Sequence, residues 1–347
     1  MGDYLQVLIT ALVVSWLVTP LYCRLAWRLN VVDKPNARRL NKVPVPTGGG
    51  LVIIGAFWLA IWLSGAKHPA LPGLALGSAI IGLIGWVDDR WELKPRLKFF
   101  GQILAATVVV ANGTVIHFVT NPFGEMIYLG AWGIPLTILW IASVINMFNF
   151  IDGLDGLAAG VAVIACVPLF ALAYQLDRGF VALLFVALAG STLGFLRYNF
   201  SPASLFMGDT GAMFLGFMLG SLAVEGALKG ATTVALAIPV AILGLPVLEI
   251  TCSVMRRVRN GMPFYQADRG HLHHRLLDLG LSQRQAVLFM YGWALVFGSL
   301  GMRLANAPPA LATGLVVAVL VLLLTLAGRW GWTGSRGSGH GQSKHSL

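Results

Sequence analysis

Charge is what this chain lacks. Asp, Glu, Lys and Arg make up only 11% of its 347 residues, 57% are hydrophobic, and the mean hydropathy is +0.78. A water-soluble fold of this length cannot hide so much apolar surface, so lipid is the solvent for most of the chain. Cysteine is also scarce. Cys23, Cys166 and Cys252 show no CxxC spacing, which excludes a disulfide framework and a thiolate metal cage and leaves them as packing residues. Acidic residues number 14 against 24 basic ones, a net charge of +10. Membrane topology and attraction to anionic headgroups explain that excess, so no nucleic acid is expected as a partner. Repeats at solenoid or propeller spacing are absent, as is any linker that would divide the chain.

What is present is a series of long uncharged runs, at 4–23, 43–66, 69–87, 99–124, 126–151, 156–176, 179–196, 210–224, 230–248, 285–302 and 304–328. A helix needs about 20 apolar residues to cross the hydrocarbon core. The runs therefore predict an all-α, polytopic integral membrane helix bundle with eleven transmembrane helices. If the loop after the first helix is cytoplasmic, only Lys67, Arg178, Lys229 and Arg303 of the 24 basic residues face the other side. The positive-inside rule then places the N-terminus out and the C-terminus in. The start, MGDYLQ, has no basic n-region, so the first helix is expected to remain uncleaved. Residues 1–332 read as one transmembrane domain and the Gly/Ser-rich 333–347 as a disordered cytoplasmic tail, with His340 and His345 inside it. Trp27, Trp86, Trp91 and Trp330 sit at predicted span ends, where aromatic belts form.

The rare acidic residues gather at one end of these spans. Asp88 and Asp89 close the third in GWVDDRWELKPR. Asn149, Asp152 and Asp155 join the fifth and sixth in FNFIDGLDGL, Asp209 opens the eighth in NFSPASLFMGDTG, and Asp268 lies in the last inner loop. Converging carboxylates repel unless a cation joins them. With oxygen ligands and no Cys/His cage, that cation is expected to be Mg²⁺, with Mn²⁺ as a substitute. Asn146, Asn149, Asp152 and Asp155 recur every three residues, which drifts by about 60° per step on an α-helix, and Gly153 and Gly156 would loosen the helix end. The bland reading is that these side chains only cap a helix N-terminus. Coincidence of several acidic clusters on one face favours the functional one.

Basic and glycine-rich stretches lie on the same side. In VDKPNARRLNKVPVPTGGGL, Gly48, Gly49 and Gly50 either offer free N–H groups to an anion or permit close helix packing, and the sequence leaves both open. ADRGHLHHRL puts His271 and His274 on one helical face if the segment is helical. An anion clamp with Arg269 and Arg275 fits better than a zinc site completed by Asp268. Together these features point to phosphoryl transfer between a soluble donor and a lipid acceptor, a chemistry of positioning and charge neutralisation. A transporter would need ionisable groups at mid-span, and a scaffold would have no use for clustered aspartates. The spaced aspartates of CDP-alcohol phosphotransferases are missing after Asp152.

VDKPNARRLNKVPVPTGGG, VDDR, NMFNFIDGLDGLAAG, LRYNFSPASLFMGDTGAMFLGF and DRGHLHHRL, in this order over about residues 32–290, resemble the polyprenyl-phosphate N-acetylhexosamine-1-phosphate transferases (glycosyltransferase family 4). The HLHH form is similar to the N-acetylglucosamine branch. The resemblance implies UDP-N-acetylglucosamine and undecaprenyl phosphate as substrates, with UMP and a lipid-linked diphosphate sugar as products. The alternatives are another UDP-N-acetylhexosamine or, in a different class, a phospholipid-type transporter. It implies a bacterial inner-membrane enzyme with a cytoplasm-facing site, acting early in a cell-envelope glycan such as lipopolysaccharide or teichoic acid, and is compatible with a homodimer. By motif position, Asp209 would be the principal metal ligand, with Asp152 and Asp88 beside it, and Asp88 and Asp89 would adjoin the lipid phosphate. Asn149, Asp152 and Asp155 would line the nucleotide pocket, with Asn199 and Phe206 near uracil. Lys42 would hold the lipid phosphate, and Arg269, His271, His273 and His274 the diphosphate and sugar. Asn41 and Glu249 depart from the His and Asp common in the family.

Overall fold

The computed structural model describes residues 2–33, 43–119, 127–227, 237–259, 261, 271–307, 314 and 325. Asn41, Lys42, Asp268, Arg269, the tail 333–347 and most of the run 304–328 lie outside these. The described chain forms helices α1 (Gly2–Arg28), α2 (Gly50–Leu63), α3 (Leu71–Trp91), α4 (Pro95–Ala111), α5 (Gly133–Ile151) and α6 (Leu157–Gln175). These are followed by α7 (Gly179–Asn199), α8 (Gly208–Ala227), α9 (Ala237–Ile242), α10 (Gly244–Arg259), α11 (Leu272–Asp278) and α12 (Gln283–Ala305). Two antiparallel ribbons pair β1 (Val32–Asp33) with β2 (Val45–Pro46) and β3 (Phe118–Val119) with β4 (Ile127–Tyr128).

Among the described residues, six helices are long and apolar enough to cross a bilayer: α1, α3, α5 with its leading turn, α6, α7 and α12. The chain is thus an all-α, multi-pass membrane bundle. Among the described residues, several uncharged runs do not become full spans, and 99–124 yields only the 17-residue α4. The run 43–66 yields only the 14-residue α2, because residues before it are drawn into β2 and the glycine turn. In 230–248 the described part breaks at Leu243, between α9 and α10.

α8 is the axis of the bundle. Every residue from Thr210 to Val224 is buried, as befits a helix that is apolar all round. Glycines let neighbouring backbones approach it. A Cβ on Gly216 would lie 2.6 Å from Ile145 Cα of α5, and one on Gly85 of α3 would lie 2.5 Å from Thr210 Cα. α1 uses the same device against α7. Val7, Ala11, Ser15 and Thr19 are buried at four-residue spacing while Leu5, Ile9, Val13 and Leu17 face outward to lipid.

The two ends of the bundle differ. At one, Tyr4 meets Gly179, His68 stacks on Phe180 at 4.0 Å, and Thr114 donates to Glu225 at 2.7 Å. The aspartates sit at the other, around the N-terminus of α8. The chain's own N-terminus is therefore on the side away from them.

Candidate functional site around the N-terminus of α8

The adjacent aspartates at the end of α3 do different work. Asp89 reaches across to the start of α8. Its Oδ1 accepts from the Asp209 N–H (2.8 Å), and its Oδ2 accepts from the Thr210 N–H (3.2 Å) and hydroxyl (2.6 Å). It thus caps a neighbouring helix and engages the positive end of its dipole. Gly208, at φ +71°, is required at this turn, since a Cβ there would lie 2.4 Å from Asp89 Oδ2. Asp88 Oδ1 accepts from the Leu93 N–H (2.7 Å) and its Oδ2 from Lys98 Nζ (2.8 Å). The same Lys98 ammonium also contacts Asp209 Oδ2, and the Asp88 and Asp209 carboxylates adjoin one another.

The α5–α6 connection completes the group. Asn149, in the last turn of α5, lies within hydrogen-bonding reach of Asp209. Asp152 ends α5. Its burial, followed by the charges of Asp209, Asp89 and Asp155, pushes its carboxyl well above the usual range. Asp155 Oδ2 accepts from the Ala203 N–H at 3.0 Å, tying this turn to the α7–α8 loop. That loop is held from inside by Asn199, buried, whose Nδ2 donates to the Leu205 carbonyl at 3.0 Å. Tyr291 of α12 donates to the Gly156 carbonyl at 2.5 Å. Asn146 does not join them: its Nδ2 donates to Gln102 at 2.6 Å, a strut between α5 and α4. The three-residue spacing therefore divides, with Asn149, Asp152 and Asp155 at the site and Asn146 behind it.

The glycine triplet resolves in favour of packing. The N–H groups of Gly49 and Gly50 donate to the carbonyls of Phe206 (3.0 Å) and Met207 (2.9 Å), and the Phe206 N–H donates to Pro46 (2.8 Å). A Cβ on Gly50 would lie 2.1 Å from Gly211 N. These donors are consumed within the protein, so they do not form an anion cradle. Phe206 is half-buried in the same ribbon-like contact.

The histidines cluster differently from the helical-face expectation. α11 starts at Leu272, with His271 in extended conformation before it. His271 and His273, not His274, share a face, with rings 5.3 Å apart and 6° from parallel. Both turn Nδ1 to Glu249 of α10, at 3.5 Å and 3.4 Å. His273 Nε2 sits over Gly153, 2.4 Å from where a Cβ would be, next to Asp152. No metal cluster of His, Cys, Asp or Glu is preassembled among the described residues. Burial, then the neighbouring His273 and His271, lower the His274 pKa to about 4. At neutral pH it is uncharged, which removes it from a cationic clamp.

The structure thus brings together Asp88, Asp89, Asn149, Asp152 and Asp209, with Asp155, Asn199, Phe206 and the His271–His273–Glu249 group packed round them. Lys42 and Arg269 are outside the described residues. Lys98 was the residue that sequence patterning passed over, because a lysine at a membrane end reads as a topology marker. A signal existed: it falls in the first turn of α4, where the helix dipole disfavours a cation unless a carboxylate holds it. The donor set fits a hard divalent ion. Asp88 and Asp209 present oxygens to one shared cation already, and Asp152 feels the same excess of negative charge.

Comparison with known proteins agrees with this arrangement. The family model for glycosyl transferase family 4 matches residues 71–227, the segment from α3 to the end of α8. A Bacillus subtilis protein named probable undecaprenyl-phosphate N-acetylglucosaminyl 1-phosphate transferase is 35% identical over 92% of this chain and 90% of its own length. The decaprenyl-phosphate N-acetylglucosaminephosphotransferase of Mycobacterium tuberculosis (strain ATCC 25618 / H37Rv) is 35% identical over 92% and 87%. The Yersinia pestis undecaprenyl-phosphate alpha-N-acetylglucosaminyl 1-phosphate transferase is 27% identical over 82% and 80%. With aspartates from α3, the α5–α6 turn and α8 meeting at one helix end, and relatives aligned over nearly its whole length, this chain belongs to glycosyl transferase family 4.

Proposed function

We propose that the protein transfers N-acetylglucosamine-1-phosphate from UDP-N-acetylglucosamine to undecaprenyl phosphate and releases UMP. A phosphate oxygen of the lipid attacks the sugar-bearing phosphorus of the donor. The bond from that phosphorus to the oxygen bridging it to the UMP phosphate breaks, and UMP leaves with the electron pair. The observation that carries this reading is the meeting of Asp88, Asp152 and Asp209 beside Lys98 at the buried start of α8. A hydride or acyl transfer would not need such a concentration of oxygen anions.

Asp209, Asp152 and Asp88 are the residues that would hold Mg²⁺, which when bound offsets charge on the diphosphate. Lys98 lies between two of these carboxylates and is placed to follow charge onto the phosphates. Asp88 has both oxygens engaged, by Leu93 and Lys98, and so acts by positioning. A phosphate monoester has a second pKa near about 6, so the acceptor needs no base at neutral pH. Asn199 and the Phe206 segment shape the wall of the nucleotide pocket. We place the site at the cytoplasmic face of a bacterial inner membrane, where UDP-sugars are available, with a homodimer as the proposed assembly. The product would enter envelope glycan synthesis, whether of lipopolysaccharide or teichoic acid.

The test is UMP release by the purified chain from UDP-N-acetylglucosamine, with a short polyprenyl phosphate and Mg²⁺. Release that depends on all three supports the reading. No release, or release without the lipid phosphate, refutes it. Parallel reactions with other UDP-N-acetylhexosamines decide the sugar.

A further inference from the structure

α12 gives no side chain to the aspartate cluster, yet it touches two strips of chain that flank it. Tyr291 donates its hydroxyl to the Gly156 carbonyl at 2.5 Å, at the start of α6. That oxygen already accepts the Gly160 N–H at 2.9 Å, so the phenol adds a second bond to it. Gly160 leaves the room, since a Cβ there would overlap the phenol. Two turns earlier, Arg284 Nε donates to the Ser201 carbonyl of the α7–α8 loop at 2.6 Å. The two strips are themselves joined between these points, where the Ala203 N–H donates to Asp155 Oδ2 at 3.0 Å. Phe200 fills the corner, its ring centre 6.5 Å from that of Tyr291 and its edge against Gly156.

Neither residue is what packing alone would select. Arg284 stands exposed in the first turn of α12, where the helix dipole disfavours a cation. Phenylalanine would fill the Tyr291 volume without carrying a hydroxyl into the bundle. Residues seven apart lie about 20° from one line on a helix and about 10.5 Å apart along it. α12 thus presents two donors on one face, one to the α5–α6 turn and one to the α7–α8 loop. The first strip carries Asp152 and Asp155, the second Asn199 and Phe206. α12 itself packs on α6, α9, α10 and α11, whereas Asp88 and Lys98 belong to α3 and α4.

Resting on the transfer reaction proposed above, we infer that Arg284 and Tyr291 are positioning residues for the nucleotide sugar. From α12 they fix two walls of the nucleotide pocket relative to one another, the α5–α6 turn through Gly156 and the α7–α8 loop through Ser201. The acceptor phosphate, beside Asp88 and Asp89, depends on neither bond.

The experiment uses the full chain in detergent. Donor affinity is read by titration calorimetry with UDP-N-acetylglucosamine and Mg²⁺, without lipid, beside kcat and the KM of each substrate. Tyr291→Phe removes one neutral hydrogen bond, so donor affinity and donor KM should worsen about 3–10-fold. Its kcat and polyprenyl phosphate KM should stay within about 2-fold. Arg284→Met, which keeps the stem but no donor, should show the same split. Arg284→Gln places an amide N–H at the chain position of Nε without the charge, so it should recover most of the loss. Unchanged donor affinity, equal weakening of donor and acceptor, or Arg284→Gln as impaired as Arg284→Met overturns the inference. Should Tyr291→Phe not yield monodisperse protein, the exposed Arg284 pair decides alone. Calorimetry keeps this inference separate from the reaction. Binding without transfer by wild type refutes the transfer reading, and the variants still decide the role of α12. A wild type that binds no nucleotide sugar overturns both.

Discussion

Asp88 and Asp89 are neighbours in sequence, and the geometry predicts that they fail in different ways. In Asp89→Asn the amide oxygen can keep the Asp209 N–H, now at 2.8 Å, but the NH₂ group then confronts the Thr210 N–H, at 3.2 Å, donor against donor. The Thr210 hydroxyl can turn and accept, so one buried backbone donor is left unpaired, at a cost of roughly 1–3 kcal/mol. Loss of the negative charge at the α8 N-terminus adds about 0.3–1 kcal/mol, or up to about 2 in a buried setting. The sum is roughly 2–4 kcal/mol. Asp88→Asn differs: its oxygen still accepts from Leu93, and Lys98 keeps Asp209. That change should cost under about 1 kcal/mol.

The assay is thermal unfolding of the detergent-purified protein by tryptophan fluorescence, beside transfer activity. Asp89→Asn should lower Tm by about 3–5 °C and lose activity because Asp209 moves with the first turn of α8. Asp88→Asn should hold Tm within about 2 °C while losing activity. The assignment is refuted if Asp89→Asn unfolds at the wild-type temperature with activity abolished. Asp89 would then act on substrate directly.

Other outcomes follow from the same contacts. Asp88→Asn should show the same fold-deficit at pH 6.5 and pH 8.5, because the acceptor phosphate is already largely dianionic above about pH 6; recovery at pH 8.5 would establish a general base. Lys98→Met should lower kcat/KM by roughly 10²–10³, the cost of losing about 3–4 kcal/mol from a buried charge contact. Its Mg²⁺ half-saturation should stay level or fall, since the carboxylates lose a competing cation, and a rising Mg²⁺ requirement would count against the assignment. Chelation by EDTA should abolish transfer and Mg²⁺ restore it, with undiminished activity after exhaustive chelation as the refuting result. His274 has its folded pKa lowered to about 4 from 6.5, so the unfolded chain takes up a proton first. Stability is unaffected above pH 6.5, falls as pH drops toward 4, and levels off below. His274→Gln should flatten that limb of Tm against pH, and an unchanged slope would show that His274 does not cause it.

Much of this site was legible because the membrane makes polarity expensive. Asp88, Asp89, Asp152, Asp155 and Asp209 stand out against uncharged runs, and their convergence at one bundle end followed from counting spans. What was not legible depends on tertiary approach. TGGG reads equally as anion cradle or packing surface until the Gly49 and Gly50 N–H groups are seen bonded to Phe206 and Met207. Period alone included Asn146 with the aspartates, whereas the helix turns it toward Gln102. The uncharged run 43–66 suggested a full span, but its first residues form a strand and a turn against the 206–207 segment. Lys98 was hidden by a rule that reads every basic residue near a span end as topology.

Why the acids meet here follows from α8 itself. A helix buried on all sides by apolar neighbours ends with N–H groups that lack intrahelical partners, in a region where water is scarce. Asp89 satisfies two of them from outside the helix, and Asp209, in the same turn, is thereby fixed facing Asp88 and Lys98. The cap and the reactive carboxylate share one turn of backbone. A substitution that frees the cap therefore displaces the carboxylate as well, so a structural aspartate at this position is expected to score as catalytic in any assay that reads activity alone.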